Sequence, residues 1–374
     1  MPIKDLHKEP FSEETLTKLN IFENYIKAWL PVFIMTPSAK EINIFDCFAG
    51  TGYDLNGKYG SPIRILSQIL NQVGYIFSHK KKINVFLNEK DKNKFFQLKD
   101  ACESFITNNL ELKRCRDNDF LTITFSNSDF EEIFENYCNE MRKNKSLVFL
   151  DQNGIKFLSN KYLSKLENLK GVDFIYFVSS SYYLRFGKTE EFKKSISFNI
   201  SNIRKVEYKY CHQQLVKELN SLIPNYNKTQ LFPFTIKNKS NIYGIIFASQ
   251  HPLGIEKFLT ITWNENPING LANFDIENDE FKNSQPNLFG TIEYTRIQKF
   301  QIDIKEKILS KQLKTNRDVY YYTLSSGFLP KHSAEVLKLL KKEKKVFYSE
   351  KSPYISYDKV FKENVLIEYN ILGD

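Results

Sequence analysis

No apolar run in this 374-residue chain approaches the roughly 20 residues needed to cross a bilayer. The longest, Leu147-Val-Phe-Leu150 and Phe174-Ile-Tyr-Phe-Val178, have the length of buried strands, so no membrane span is expected. The cysteines are few and unpaired in pattern. Five stand at 47, 102, 115, 138 and 211, an odd number with no CxxC and no histidine at ligand spacing. That signals neither a disulfide framework nor a zinc site and predicts free thiols. H-E-x-x-H and the nucleophile elbow are absent, and Gly57-Lys58 is followed by Tyr59 where a phosphate-binding loop needs Ser or Thr. The first ten residues alternate in charge without an apolar stretch, which predicts no secretory signal and a cytoplasmic location.

What is present is material for a large core. Apolar residues make up 41% of the chain, with 32 Phe and 21 Tyr, which argues against disorder. At this length one core stops growing, so a principal domain of about 250 residues plus a smaller one is expected. The formal charge is +9, from 53 basic and 44 acidic side chains. This excess favours anionic partners such as RNA or DNA. A second reading is compositional, because Lys, Asn, Ile, Phe and Tyr are abundant throughout.

Leu19, Phe22, Ile26, Leu30 and Phe33 form one helical stripe over residues 12–33, with Ser12 as N-cap. A strand at 41–46 follows, then a helix opened by Ser61-Pro62 and running to about Val73. Strands at 83–88, 121–126, 146–150 and 173–179 alternate with helices near 91–108, 129–144 and 158–169. Strands joined by helical crossovers predict an α/β fold, a doubly wound, mostly parallel Rossmann-like sheet. A helix at 211–222 and a strand at 242–248 complete the reading, and most of 180–240 is not legible. Domain boundaries are expected at 1–40 (a helical lead-in), 41–265 (the sheet), 266–290 (a linker rich in Asn, Asp, Pro and Gly) and 291–374. In the last segment, helices near 297–313, 315 onward and 329–340 and a hairpin around Lys351-Ser-Pro353 make a winged-helix pattern.

Strand one ends in Asp46 and runs into Phe48, Gly50-Thr-Gly52 and Asp54, small residues where a backbone turns tightly beside a ligand. The spacing D-x-F-x-G-x-G departs from the dinucleotide fingerprint G-x-G-x-x-G and resembles the first motif of S-adenosylmethionine (SAM)-dependent methyltransferases, where no pyrophosphate is cradled. Glu89, just past strand two, sits where a Rossmann fold accepts hydrogen bonds from ribose hydroxyls; its other reading is a surface charge. After strand three, Asp129 would meet an adenine amino group with Phe130 against the ring, or would cap the following helix. Strand four delivers Asp151, Gln152 and Asn153 to the carboxyl edge, making Asp151 and Asn153 the candidate catalytic residues. Ser179-Ser-Ser181 and His251 are weaker candidates, the latter read as a turn residue.

Together with Tyr25 and Trp29, the stretches I-F-D-C-F-A-G-T-G-Y-D at 44–54, G-S-P-I-R-I-L at 60–66, L-N-E-K-D at 87–91, F-L-D-Q-N-G at 149–154 and I-I-F-A-S-Q-H-P-L-G at 245–254 resemble the bacterial three-Cys-motif partner (TcmP) proteins. The likeness spans roughly 12–265. Its most specific element is FAGxG and GSP separated by a short insertion. It implies a methyltransferase-like core that works with a three-Cys-motif protein, with Asp46, Gly50, Gly52 and Ser61 on the family pattern. The family's D-P-x-G at strand four is D-Q-N-G here, with Gln152 in the proline position.

The leading expectation is SAM-dependent methyl transfer to a nucleic acid, with no metal. The basic end of the third tail helix, Lys331, Lys338, Lys341 and Lys342, would contact phosphates or form a solvated face. A non-catalytic nucleotide-binding scaffold for a protein partner and a metal-dependent nuclease at Asp151 are the alternatives.

Overall fold

The computed structural model describes residues 10–152, 156–186, 200–284 and 293–372, which divide into two compact units, Met1–His251 and Pro252–Asp374. In the first unit the chain runs α1 (Glu13–Ile34), β1 (Glu41–Asp46), α2 (Ser61–Leu70), α3 (Val73–His79), β2 (Lys82–Asn88), α4 (Lys92–Asn108), α5 (Leu110–Asp117), β3 (Leu121–Ser126) and α6 (Phe130–Lys143). It continues with β4 (Lys145–Leu150), α7 (Asn160–Glu167), β5 (Val172–Val178), α8 (Ser180–Phe186), α9 (Ile200–Ile203), α10 (Cys211–Leu222), β6 (Gln230–Asn238) and β7 (Asn241–Ser249). The strands form one sheet in the order β3-β2-β1-β4-β5-β7-β6. The first five run parallel, and β7 is antiparallel to both of its neighbours.

The period-two alternation of a strand splits β4 between two layers. Val148 and Leu150 join the apolar cluster that takes in α6, α7 and α10, while Phe149 stacks on Phe22 of α1 at 4.0 Å. Tyr25 of α1 donates to the buried Asp173 of β5 at 2.8 Å. The sheet is therefore covered on both faces, which is why its strands read as continuous apolar runs. All five cysteines are free and buried, and no helix among the described residues is long and apolar enough to cross a membrane.

Two readings from sequence need correction here. The N-cap of α2 is Gly60, one residue earlier than expected, and Ser61 is the first residue of the helix. Strand β6 lies in the stretch that is not legible from sequence. Pro233 lies inside it, and proline is tolerated there because β6 pairs with β7 alone and is an edge strand.

The second unit comprises α11 (Pro252–Glu265), α12 (Asp279–Ser284), α13 (Arg296–Leu309), α14 (Asn316–Ser325), α15 (Pro330–Lys342) and a ribbon of β8 (Val346–Phe347) with β9 (Asn370–Ile371). Capping boxes at Thr295 with Gln298 and at Thr315 with Asp318 start α13 and α14. Helix α11, expected with the sheet, falls in this unit. Glu256 accepts from Tyr320 of α14 at 2.5 Å, and the Trp263 indole donates to the Gly327 carbonyl at 3.1 Å. The described part of the expected linker, 266–284, carries internal hydrogen bonds. Asn266 bonds the carbonyls of Ala272 and Phe274 at 2.8 and 3.1 Å, and Asn269 bonds that of Phe274 at 2.9 Å.

The ribbon also differs from expectation. Its two strands are not neighbours around Pro353, because β8 pairs with the far end of the chain at β9. The buried Asn316 side chain organises the intervening loop, donating to Tyr354 and Val365 carbonyls at 3.1 and 2.9 Å and accepting from Ile367 N–H at 3.0 Å.

One packing feature of the first unit gives a direct test. His212 of α10 is buried with both ring nitrogens bonded, Nδ1 to Ser180 Oγ at 2.8 Å and Nε2 to the Ile245 carbonyl at 2.9 Å. A carbonyl only accepts, so Nε2 carries the proton and Nδ1 accepts from Ser180. Burial pushes the imidazole down to about 4, which keeps it neutral. A Cβ on Gly244 would lie 2.2 Å from His212 Nε2, and neither the anchored ring nor the doubly paired strand has room to move. Gly244→Ala is expected to cost about 3 kcal/mol, read as a lower urea midpoint; an unchanged midpoint contradicts this packing.

Candidate functional site

The strand order reverses between β1 and β4, and in open parallel sheets ligands bind outside the carboxyl ends of the strands at such a point. Asp46 pairs in register with Leu87 of β2 and Phe149 of β4. Two residues beyond those partners stand Glu89 and Asp151. Three carboxylates thus terminate three adjacent strands, spaced by about 4.8 Å from strand to strand.

Asp46 is fully buried. One oxygen accepts from Phe48 N–H at 3.3 Å, and the Ser61 hydroxyl also bonds the carboxylate. The other oxygen, Oδ2, has no partner among the described residues. Burial pushes the carboxyl up to about 7. The hydrogen bonds from Ser61 and Phe48 oppose that rise, and the charges of Asp151 and Glu89 add to it. A buried, half-satisfied carboxylate of this kind is characteristic of a functional position.

The turn after it is built for close approach. Gly50 and Gly52 have φ of 66° and 90°, the left-handed region, and a Cβ on Gly52 would lie 2.9 Å from that of Ala101. Gly50 N–H donates to Glu89 at 3.0 Å and Asp91 N–H donates to its other oxygen at 2.8 Å. Glu89 is therefore held by backbone on both oxygens and keeps further lone pairs for a ligand. The insertion between Gly52 and Gly60 is closed by a Tyr53–Tyr59 bridge and by Gly60 N–H on the Gly52 carbonyl at 2.7 Å.

Asp54, a sequence candidate, serves this loop. It accepts from the backbone of Phe11, Asn56 and Lys58 at 2.9, 2.9 and 2.8 Å. Desolvation raises its pKa, but those three N–H groups outweigh it and the net shift is downward. Asp129 precedes α6 without capping it; its exposed carboxylate pairs with Lys90 at 2.6 Å. Phe130 is buried among Phe48, Phe134, Phe157 and Tyr162. It packs the core and presents no free face to an adenine, whereas Phe48 and Phe157 lie only partly buried against that core. Ser180 and Ser181 are likewise structural, bonded to His212 and to the backbone of Ile242.

Sequence reasoning missed Lys18 of α1. Its ammonium makes an ion pair with Asp151 and lies 4.3 Å from the centre of the Phe177 ring. Lys18 occupies the position one turn before Phe22 and two before Tyr25, so a lysine on an otherwise apolar stripe was the available signal. Next to Asp151, Gln152 is buried and accepts from Phe157 N–H at 2.7 Å. Asn153 lies outside the described residues.

In the second unit, Lys331, Lys338 and Lys342 are exposed on α15, but Lys341 is not available to a phosphate. Its ammonium donates to the carbonyls of Tyr348 and Glu350 at 2.8 and 2.7 Å and lies over the Tyr348 ring. It ties the helix to the start of the ribbon.

Residues 275–353 match the family described as the GMT-like wHTH domain. This wHTH match accounts for α12 to α15 and the first ribbon strand. No curated protein matches the chain. Among solved structures, Trm1 from Pyrococcus horikoshii in complex with S-adenosyl-L-methionine is similar at 10% identity and a TM-score of 0.35, over 64% of this chain and 56% of that one. A class I S-adenosylmethionine-dependent methyltransferase from Listeria monocytogenes is similar at 10% identity and a TM-score of 0.28, over 66% and 62%. The chain thus spans less than two thirds of either, and likenesses this slight carry no weight for function. The functional reading rests on the site.

The raised Asp46 carboxyl has a consequence for stability. The unfolded chain loses this proton near 3.8 and the folded chain near 7, so the native state binds more protons between those values. Stability therefore falls as pH rises from about 4 to about 7, by a few kcal/mol. Asp46→Asn removes that loss. It is expected to raise the melting temperature at pH 8 and to change it little near pH 3; a variant no more stable than its parent at pH 8 contradicts the assignment.

Proposed function

We propose that the chain is a SAM-dependent methyltransferase, with its donor held at the carboxyl ends of β1, β2 and β4 and its wHTH domain directing it to a nucleic acid. The observation that carries the reading is the charge of the site. Asp46, Glu89 and Asp151 end adjacent strands, and Lys18 is the one cation paired with any of them among the described residues. Such a surface repels a pyrophosphate and attracts an ammonium or sulfonium. That disfavours NAD or ATP and favours SAM.

The residues present fit this cofactor. The Gly50-to-Gly52 turn would lie against its amino-acid end with the Asp46 carboxylate toward the ammonium, and Glu89 would accept from the ribose hydroxyls. Phe48 would line the pocket. Ser61 holds Asp46, and Asp54 holds the loop that follows. Bound there, SAM supplies a methyl group activated by the sulfonium. Asp151 would orient the acceptor.

A methyltransferase with this tail would engage RNA or DNA through the outward lysines of α15, and the family likeness adds a three-Cys-motif protein as partner. The second reading, a non-catalytic scaffold, draws support from Asp151 being engaged by Lys18 and Gln152 by the Phe157 N–H. The nuclease reading is not favoured: no group of three metal-ligating side chains converges among the described residues.

Equilibrium dialysis with labelled SAM tests the core of this. Binding by the intact chain is expected, at least tenfold weaker in Asp46→Ala and not displaced by equal NAD or ATP. Binding of NAD or ATP in preference to SAM overturns it, and SAM binding without methyl transfer to tRNA, rRNA or DNA favours the scaffold. For the tail, replacing Lys331, Lys338 or Lys342 by Glu is expected to weaken RNA or DNA binding and lower its salt dependence by about one unit per lysine. Lys341→Ala should instead expose the ribbon to protease.

A further inference from the structure

Lys18 is anchored with unusual thoroughness for a lysine. Its side chain is 7% exposed against 24% for Asp151, it stands on the face of α1 whose next turns carry Phe22 stacked on β4 and Tyr25 bonded to β5, and its ammonium faces the Phe177 ring. The helix therefore delivers a fixed positive charge to a strand-end cluster that is otherwise anionic among the described residues. Among the described residues Glu89 is held by N–H groups and Asp46 by a hydroxyl and an N–H, and neither has a counter-ion of its own.

We propose that Lys18 is a specificity-determining residue that sets how strongly the site prefers the charged methyl donor over its neutral product. The inference rests on the SAM reading above. S-adenosylmethionine and S-adenosylhomocysteine share the adenosine and amino-acid groups and differ by one methyl group and the positive charge on sulfur. Contacts common to both cancel in the ratio of their affinities, and what remains is the local potential at the sulfur. Lys18 makes that potential less negative by offsetting Asp151. Without it the site holds the sulfonium more tightly relative to the thioether; without Asp151 the buried ammonium stands alone and the preference shrinks. Lys18 also keeps Asp151 in one orientation, so the same contact positions the group expected to meet the acceptor.

The test measures dissociation constants for SAM and S-adenosylhomocysteine by calorimetry at pH 8 with the full chain. Lys18→Met is expected to raise the preference for SAM by about fivefold, Asp151→Asn to lower it by a similar factor, and Lys18→Arg to leave it near the parent value. A purely structural Lys18 would weaken both ligands together and leave the ratio unmoved. Ratios equal in all four proteins overturn the proposal. Should Lys18→Met not fold, the lowered ratio of Asp151→Asn against the unmoved ratio of Lys18→Arg decides it. A parent chain that binds neither ligand defeats the SAM reading itself, an outcome distinct from an unchanged ratio.

Discussion

The site depends on one unfavourable burial, the carboxylate of Asp46 at the end of β1. Water is excluded from it, two hydrogen bonds stabilise its charge, and two neighbouring carboxylates destabilise it. The fold tolerates this because β1 is the pivot of the sheet, paired on both sides and covered on both faces. The residues around it converge on the same strand ends. The Gly50 N–H reaches Glu89, the Ser61 hydroxyl bonds Asp46, and α1 brings Lys18 to Asp151. A cationic ligand would relieve the same stress, which is the physical sense in which the site is prepared for one.

Much of this was legible in the sequence. The alternation of apolar strands with amphipathic helices located the elements around the site to within a few residues, because fully buried strands and two-faced helices leave unambiguous periodicities. Asp46, Gly50, Gly52 and Glu89 stood out as candidates because each lies at a strand end or in the turn that follows one, and Ser61 because it precedes the proline that opens α2. What could not be read depends on long-range partners. Lys18 and Asp151 are 133 positions apart, and nothing local marks them as a pair. Phe130 resembled a ring-stacking residue and is a core residue, since burial is a property of the packed layer. Asp54 resembled a ligand and is a turn former, since three backbone N–H groups converge on it only once the insertion has closed.

The second unit teaches the same lesson from its polar residues. The start of α14 was legible as Thr315, whose capping is local, and the Thr295 box that starts α13 is of the same local kind. The ribbon was not legible, because Asn316 fixes the loop by bonds to residues 38, 49 and 51 positions away. Lys341 shows why a lysine count overstates a phosphate-binding face. A side chain with four methylenes reaches back onto its own fold, and only the lysines left outward on α15 remain for a partner.

A cation binding beside a carboxylate that is half protonated near neutrality must displace part of that proton. Titrating the chain with SAM at pH 7 in buffers of differing ionisation enthalpy measures this directly. The account predicts that binding releases a fraction of a proton at pH 7, with the release absent in Asp46→Asn. Binding whose heat is independent of the buffer at pH 7, or no binding, would contradict it.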